Sequence, residues 1–289
     1  MALSQLSLAL TKDQAYALVD AVMERDDLAV TASAHEDAET GEWIFEATCL
    51  ERPELDSFSE LARLTLGGDV EFRIEEIDPS VNWVAKSLEG LHPVRAGGFY
   101  VYGSHETAPV PGGLTGIRID AAQAFGTGHH ETTTGCLEAI DRALKRRRFT
   151  NVIDIGTGTG VLAIAVAKRL KRRVLATDID PVAVSTTLGN ARDNGVERQI
   201  VAIEAEGLDH HLIASGAPYD LVIANILAGP LAALAPGMAR ITQRGATIIL
   251  SGILNQQAPR VTSAYVGQSM ILRSKITRGN WSTLVLEKR

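Results

Sequence analysis

Residues 151–167, "NVIDIGTGTGVLAIAVA", restrict the fold more than any other stretch of the chain. They read as a short apolar strand, a turn punctuated by Gly156, Gly158 and Gly160, and then an apolar helix. A strand that is apolar on both faces is stable only inside a sheet covered by helices on both sides. The same unit recurs in "RVLATDI", "QIVAIE", "YDLVIANI" and "ATIILSGI", each separated from the next by a helical segment. Five such strands predict a parallel, doubly wound α/β sheet. The closing stretch "MILRSKITRGNWSTLVLEK" predicts two more strands across an Arg-Gly-Asn turn, which makes seven.

The glycine turn is a ligand loop of a particular kind. Glycines at a strand-to-helix turn let backbone approach a ligand closely. The dinucleotide pattern G-x-G-x-x-G is not met, because Val161 stands where its third glycine belongs. No Gly-Lys-Ser/Thr follows, which excludes a P-loop. Asp154 directly before the glycines is a poor neighbour for a pyrophosphate and suits a cationic group, such as the amino group of a methionine moiety. Asp178, 22 residues beyond Gly156, ends the next strand where an acid accepts from ribose hydroxyls. Asp180 and Pro181 are expected to cap and open the helix after it. Loop, acid spacing and terminal hairpin together predict S-adenosylmethionine as cofactor, with Asp154, Gly156, Gly158 and Asp178 around it. Asn225 ends the fourth strand, where open α/β sheets keep their chemistry. Its amide oxygen could aim an amine for methyl transfer, or the residue could simply cap the next helix.

Ahead of this lies a different module. Residues 1–78 alternate in the order strand-helix-strand-strand-helix-strand, which predicts a ferredoxin-like α+β fold. Residues 1–90 hold 20 acidic against 6 basic side chains, a net of −14, while residues 91–289 hold 15 against 22, a net of +7. Such asymmetry signals a basic partner for the acidic module. Residues 79–98 are expected to link it to a catalytic domain over 99–289, with a short helix at "NWVAKSL". Two distant cysteines, Cys49 and Cys136, give neither a disulfide framework nor a zinc spacing. Neither a leader nor a membrane span is read, so a cytoplasmic protein is expected. The adjacent His129 and His130 lack a third ligand with useful spacing, so no metal is expected. The basic runs at 145–148 and 168–173 lack interleaved aromatics, so sequence-specific nucleic-acid binding is not expected.

A second glycine segment, "AFGTGHHETTTGCL", precedes the first helix of the catalytic domain, which is expected to start within the threonine run. Together with "DIGTGTGVLAIA", "TDIDPVAV", "NARDNGV", "ANILAGPL" and "GGFYVYGSHE", it resembles the PrmA family, methyltransferases of large-subunit ribosomal protein eleven. The likeness covers most of residues 80–255. It implies a Rossmann-like, seven-stranded class I methyltransferase sheet and a ferredoxin-like domain that docks the ribosomal protein, free or on the ribosome. It also implies methylation of lysine ε-amines and an N-terminal α-amine by a monomer. By motif position it implies cofactor contacts at Thr133, Gly156, Asp178 and Asn225, with Asn225 also catalytic. Gly126 and Gly128 would bend the first loop, and Thr133 would either cap the helix or face the methionine end of the cofactor. Glu131 departs from the family's Pro or Gly. Two other readings remain: a lysine methyltransferase of another protein, such as an electron-transfer flavoprotein subunit, and a non-catalytic ribosome assembly factor.

Overall fold

The computed structural model describes residues 3–77, 93–119 and 129–289, apart from Glu24, Asp26, Asp27, Val30, Ala38, Glu39, Glu51, Arg52 and His105. The expected helix at "NWVAKSL" and the bend at Gly126 and Gly128 lie outside the described residues. The chain divides into two compact units, the first within residues 1–86 and the second within 87–289.

The first unit runs β1 (Leu3–Leu10), α1 (Lys12–Met23), β2 (Thr31–Glu36), β3 (Trp43–Leu50), α2 (Leu55–Leu66) and β4 (Arg73–Ile77). The sheet order is β2-β3-β1-β4, antiparallel throughout, which is the ferredoxin-like topology. Its core is made where the two periodicities meet: Leu6 and Phe45 from the strands close on Leu18 of α1 and on Phe58 and Ala62 of α2. Gly67 ends α2 in the left-handed conformation, φ 80°, with its N–H on the Arg63 carbonyl.

The second unit opens with a three-stranded sheet, β5 (Val94–Ala96), β6 (Phe99–Tyr102) and β7 (Thr115–Arg118). β5 falls in the stretch read as linker. Three residues carry too little pattern to announce a strand, and pairing with β6 is what makes it one. There follow α3 (His129–Arg146), β8 (Val152–Ile155), α4 (Val161–Leu170), β9 (Val174–Asp178), α5 (Pro181–Asp193), β10 (Ile200–Glu204) and α6 (His211–Gly216). The chain closes with β11 (Tyr219–Asn225), α7 (Ala228–Ile241), β12 (Thr242–Leu254), α8 (Ala258–Val266), β13 (Met270–Arg278) and β14 (Trp281–Lys288). The seven strands lie in the order β10-β9-β8-β11-β12-β14-β13. β8 to β12 are parallel, and β14 is antiparallel to both neighbours.

Both faces of the large sheet are covered. α3, α4 and α5 pack on one side, with Leu137, Ile140, Ile164 and Ala191 in the core. α6, α7 and α8 pack on the other, with Ile213, Leu231, Met238 and Val261. Val222, Ile223, Ile248 and Ile249 in the central strands have no exposed surface, and each such side chain contributes about 1.5–3 kcal/mol on burial. The strand order reverses between β8 and β11. Open α/β sheets leave a crevice at such a reversal, beyond the carboxyl ends of the strands.

Candidate active site

The loop between β8 and α4 is fastened from three directions. Thr157 N–H donates to the Thr177 carbonyl at 2.9 Å and Gly158 N–H to Asp178 Oδ2 at 2.8 Å. From α5, Thr187 Oγ1 donates to the Gly158 carbonyl at 2.9 Å and Asn190 Nδ2 to the Thr159 carbonyl at 2.8 Å. From behind, Asp154 Oδ2 accepts from Thr157 Oγ1 at 2.8 Å and from Ala163 N–H at 3.1 Å. Asp154 is 1% exposed, and its Oδ1 has no partner among the described residues. Burial pushes its carboxyl up to about 7, Asp178 adds to the rise, and the Thr157 and Ala163 bonds oppose it. Asp178 is half-buried; Oδ1 accepts from Asp180 N–H at 3.1 Å, so both oxygens are oriented by backbone and keep lone pairs free. Asp180 caps α5, accepting from Val182 N–H at 2.8 Å, with Pro181 opening the helix.

In front of this loop lies a cleft of about 520 Å³ at the carboxyl ends of β8 to β11. Gly156, Asp178, Ile179, Glu206, Ile226 and Leu227 line it. Ile226, just after β11, is packed against two glycines. Gly156 has φ 67° and Gly252, in β12, has φ 80°, and a methyl on either would collide with Ile226. The loop after β8 and a turn of β12 thus clamp the segment after β11 from two sides. Asn225, at the last position of β11, pairs in register with Ser251, and its buried Oδ1 has no partner among the described residues. α7 is capped at Leu227 with no side-chain bond, so Asn225 is not its cap. An oriented, unsatisfied acceptor beside a cleft is costly unless something else fills it.

α3 begins at His129, ahead of the threonine run, so Thr133 lies inside the helix and does not cap it. The helix starts early because Thr132, Thr133 and Thr134 are buried residues, not turn residues: they are 0%, 8% and 7% exposed. Ser251 Oγ reaches the Thr132 carbonyl at 3.4 Å and Thr283 Oγ1 at 2.9 Å, and Gly135 leaves no room for a side chain against Thr283. Cys136 lies in the same seam, where burial raises its thiol far from ionisation. It is therefore no nucleophile. Among the described residues no group of carboxylate, cysteine and histidine side chains could hold a metal ion.

The family model for ribosomal protein L11 methyltransferase (PrmA) matches residues 3–289. The chain is 43% identical over 291 residues to the ribosomal protein L11 methyltransferase of Rhizobium meliloti (strain 1021), covering 98% of this chain and 99% of that one. It is 49% identical over 227 residues to the protein of that name from Mesorhizobium japonicum, covering 78% and 77%. A crystal structure of ribosomal protein L11 methylase from Lactobacillus delbrueckii subsp. bulgaricus superposes with a TM-score of 0.61 at 31% identity, over 69% of this chain and 100% of that one.

The chain belongs to the PrmA family.

It is therefore a methyltransferase, and its methyl donor is S-adenosylmethionine. The cleft's chemistry suits that donor. It offers glycine backbone that a ligand can approach, a rim carboxylate with lone pairs left over, and an apolar wall of Ile179, Ile226 and Leu227. Of the residues expected from sequence, Gly156 and Asp178 line the cleft, and Gly158 donates to Asp178 at its edge. Asp154 sits behind the loop, while Thr133 is on α3 and Asn225 at the tip of β11. Glu206, Ile226, Leu227 and Gly252 were not singled out in the sequence. "NILAGPL", read in the sequence only for Asn225 and the family likeness, holds two of them, Ile226 and the 47% exposed Leu227.

Proposed function

We propose that the chain transfers methyl groups from S-adenosylmethionine to amines of ribosomal protein L11, the target that its relatives' names carry. Lysine ε-amines and the N-terminal α-amine are the acceptors. The observation that carries this reading is the buried, unpartnered Asn225 Oδ1 at the end of β11, next in sequence to Ile226 of the cleft that Gly156 and Asp178 line.

The roles follow from what each group can do. Asp178 holds the ribose diol, and Gly156 and Gly158 let the donor lie against backbone. Asp154 acts through the loop, its charge favouring a cationic amino group on the other side. Thr133 closes the methionine end from α3. The bound donor supplies an activated methyl on a sulfonium; everything else falls to the protein. A lysine ammonium, ordinarily near a pKa of about 10.4, must lose a proton before it can attack. Asn225 Oδ1 accepts a hydrogen of the neutral amine and turns its lone pair toward the methyl. The departing proton goes to solvent. No step requires a metal or a covalent enzyme intermediate.

The ferredoxin-like unit, residues 1–78, is the docking module, and residues 99–289 are the catalytic domain. The net of −14 over residues 1–90 favours a basic target such as a ribosomal protein and repels bare phosphate backbone. The enzyme works as a monomer in the cytoplasm. Among the described residues no helix is long and apolar enough to cross a membrane. The test is removal of residues 1–78. Transfer to L11 should be lost while donor affinity, measured by calorimetry, is kept. Loss of both would contradict the division of labour.

A further inference from the structure

The catalytic unit is electrically polar along its strands. β8 to β12 run parallel, so they all start at one edge of the sheet. The segments entering them carry Arg146 and Arg148 ahead of β8, Arg172 and Arg173 ahead of β9, Arg198 ahead of β10, and Arg244 at the start of β12. All six are exposed. Among the described residues none has a carboxylate partner. Of the acids nearby, Glu197 beside Arg198 is exposed, and three others are engaged. Asp193 pairs with Arg118 at 3.0 Å, Glu287 grips Arg273 with both oxygens, and Asp220 accepts from Thr150 and Asn151 at 2.7–3.0 Å. The opposite edge, where the strands end, carries Asp154, Asp178, Asp180, Glu204 and Glu206.

Helix ends account for part of this, because a helix C-terminus favours cations in its last turn. They do not account for Arg198, five residues past the end of α5, or for Arg244, which lies in a strand. Five neighbouring strands at about 4.8 Å spacing make the strip about 19 Å wide. At its α3 end is a hollow of about 260 Å³ lined by Arg142, Arg146, Arg147 and Arg273 together with Glu287. Arg273 pairs with Glu287 and Arg142 with Glu138, which leaves Arg146 and Arg147 as its cations without a carboxylate partner among the described residues. Arg147 is held rigid there, donating to the Gly245 carbonyl at 2.7 Å and the Asp220 carbonyl at 2.8 Å, with its guanidinium 4.4 Å from the centre of the Phe149 ring. The cations are nearly all arginine, whose planar fork matches phosphate oxygens better than an ammonium does.

We propose that this edge is a docking surface for the phosphate backbone of RNA, bound by charge and not by base reading. The acidic edge repels the same polyanion, so RNA engages only one end of the unit and leaves the cleft clear. Such contacts release counterions, and affinity falls steeply with salt. The inference does not depend on which protein is methylated, since it is read with RNA alone.

The test is fluorescence anisotropy of the full chain with a labelled single-stranded RNA at 50 and 200 mM salt, with the donor's affinity and the thermal midpoint measured in parallel. The expected result is binding at the lower salt that weakens at least tenfold at the higher. The variant R146E/R148E/R172E/R244E should lose at least a further tenfold with donor affinity unchanged. R146Q/R172Q/R244Q, a gentler change, should move the same way by less. No binding at the lower salt, or equal binding by the variants, overturns the proposal. So does displacement of the RNA by polyglutamate as readily, charge for charge, as by poly(U), which would mean an acidic protein partner.

Discussion

The two units of this chain are legible in opposite ways. The first has a common topology and no chemical motif, and what distinguishes it is charge: 20 acidic against 6 basic residues over positions 1–90. The second is closer to balance, and what distinguishes it is backbone geometry at a handful of positions, Gly156, Ile226 and Gly252 above all. The difference is physical. Steering a protein partner works at the range of the Debye length, roughly 8–10 Å in ordinary salt, and tolerates many arrangements of the same charges. Aligning an amine with a methyl, as proposed for this site, tolerates errors well under an ångström and calls for glycines, fixed amide oxygens and strand ends.

That contrast can be broken most violently by deleting residues 1–78. Methyl transfer to L11 should fall by on the order of a hundredfold or more, while donor affinity in calorimetry stays within about twofold. The converse change is Asn225→Ala, which leaves docking intact and removes the oriented acceptor. Turnover should drop about 10²-fold, the usual scale for one preorganised polar group, with the KM for the protein substrate little altered. A proportional rise in KM would move Asn225 from alignment to binding. Asp178→Ala comes next. Losing hydrogen bonds to a charged acceptor costs about 1.5–3 kcal/mol, so donor affinity should weaken roughly ten- to a hundredfold. Unchanged affinity would remove Asp178 from the ribose. It would also be surprising locally, because Gly158 N–H loses its partner in the same variant.

Smaller effects follow from Asp154. With its carboxyl raised to about 7, it gains charge as pH rises from 6 to 8. Affinity for the cationic donor should rise severalfold across that window, and Asp154→Asn should flatten the rise. Stability runs the other way. The folded state holds a proton that the unfolded chain has lost between the ordinary 3.8 and about 7, so this group's contribution to stability falls as pH climbs through that range and is level above it. Thermal midpoints of the wild type and Asp154→Asn at pH 5 and pH 8 check the sign.

Much of the second unit could be read in advance because its strands are apolar on both faces and its loop is glycine-marked. "DIGTGTG", Asp178 and the Asp180–Pro181 cap needed only local rules. What escaped was decided by distant contacts. The threonine run looked like a helix start, yet α3 opens at His129 and the threonines are buried inside it, with the Thr132 carbonyl accepting from Ser251, more than a hundred residues on. β5 escaped because only β6 makes it a strand. Glu206 joins the cleft through the order of strands in the sheet, and Gly252 touches Ile226 by the same route. Asn225 stood between cap and acceptor in the sequence; the cap of α7 is Leu227, and the acceptor role of Asn225's buried, unpartnered oxygen is the one proposed.

The proposed function of this site is to put methyl groups on amines of ribosomal protein L11. Incubating the full chain with labelled S-adenosylmethionine and separated ribosomal proteins, and reading each by mass spectrometry, tests it most directly. The prediction is that L11 alone gains mass, in multiples of one methyl group, with the label on lysine side chains and the N-terminal amine. Label on a different protein, or on none while the donor still binds, would contradict it.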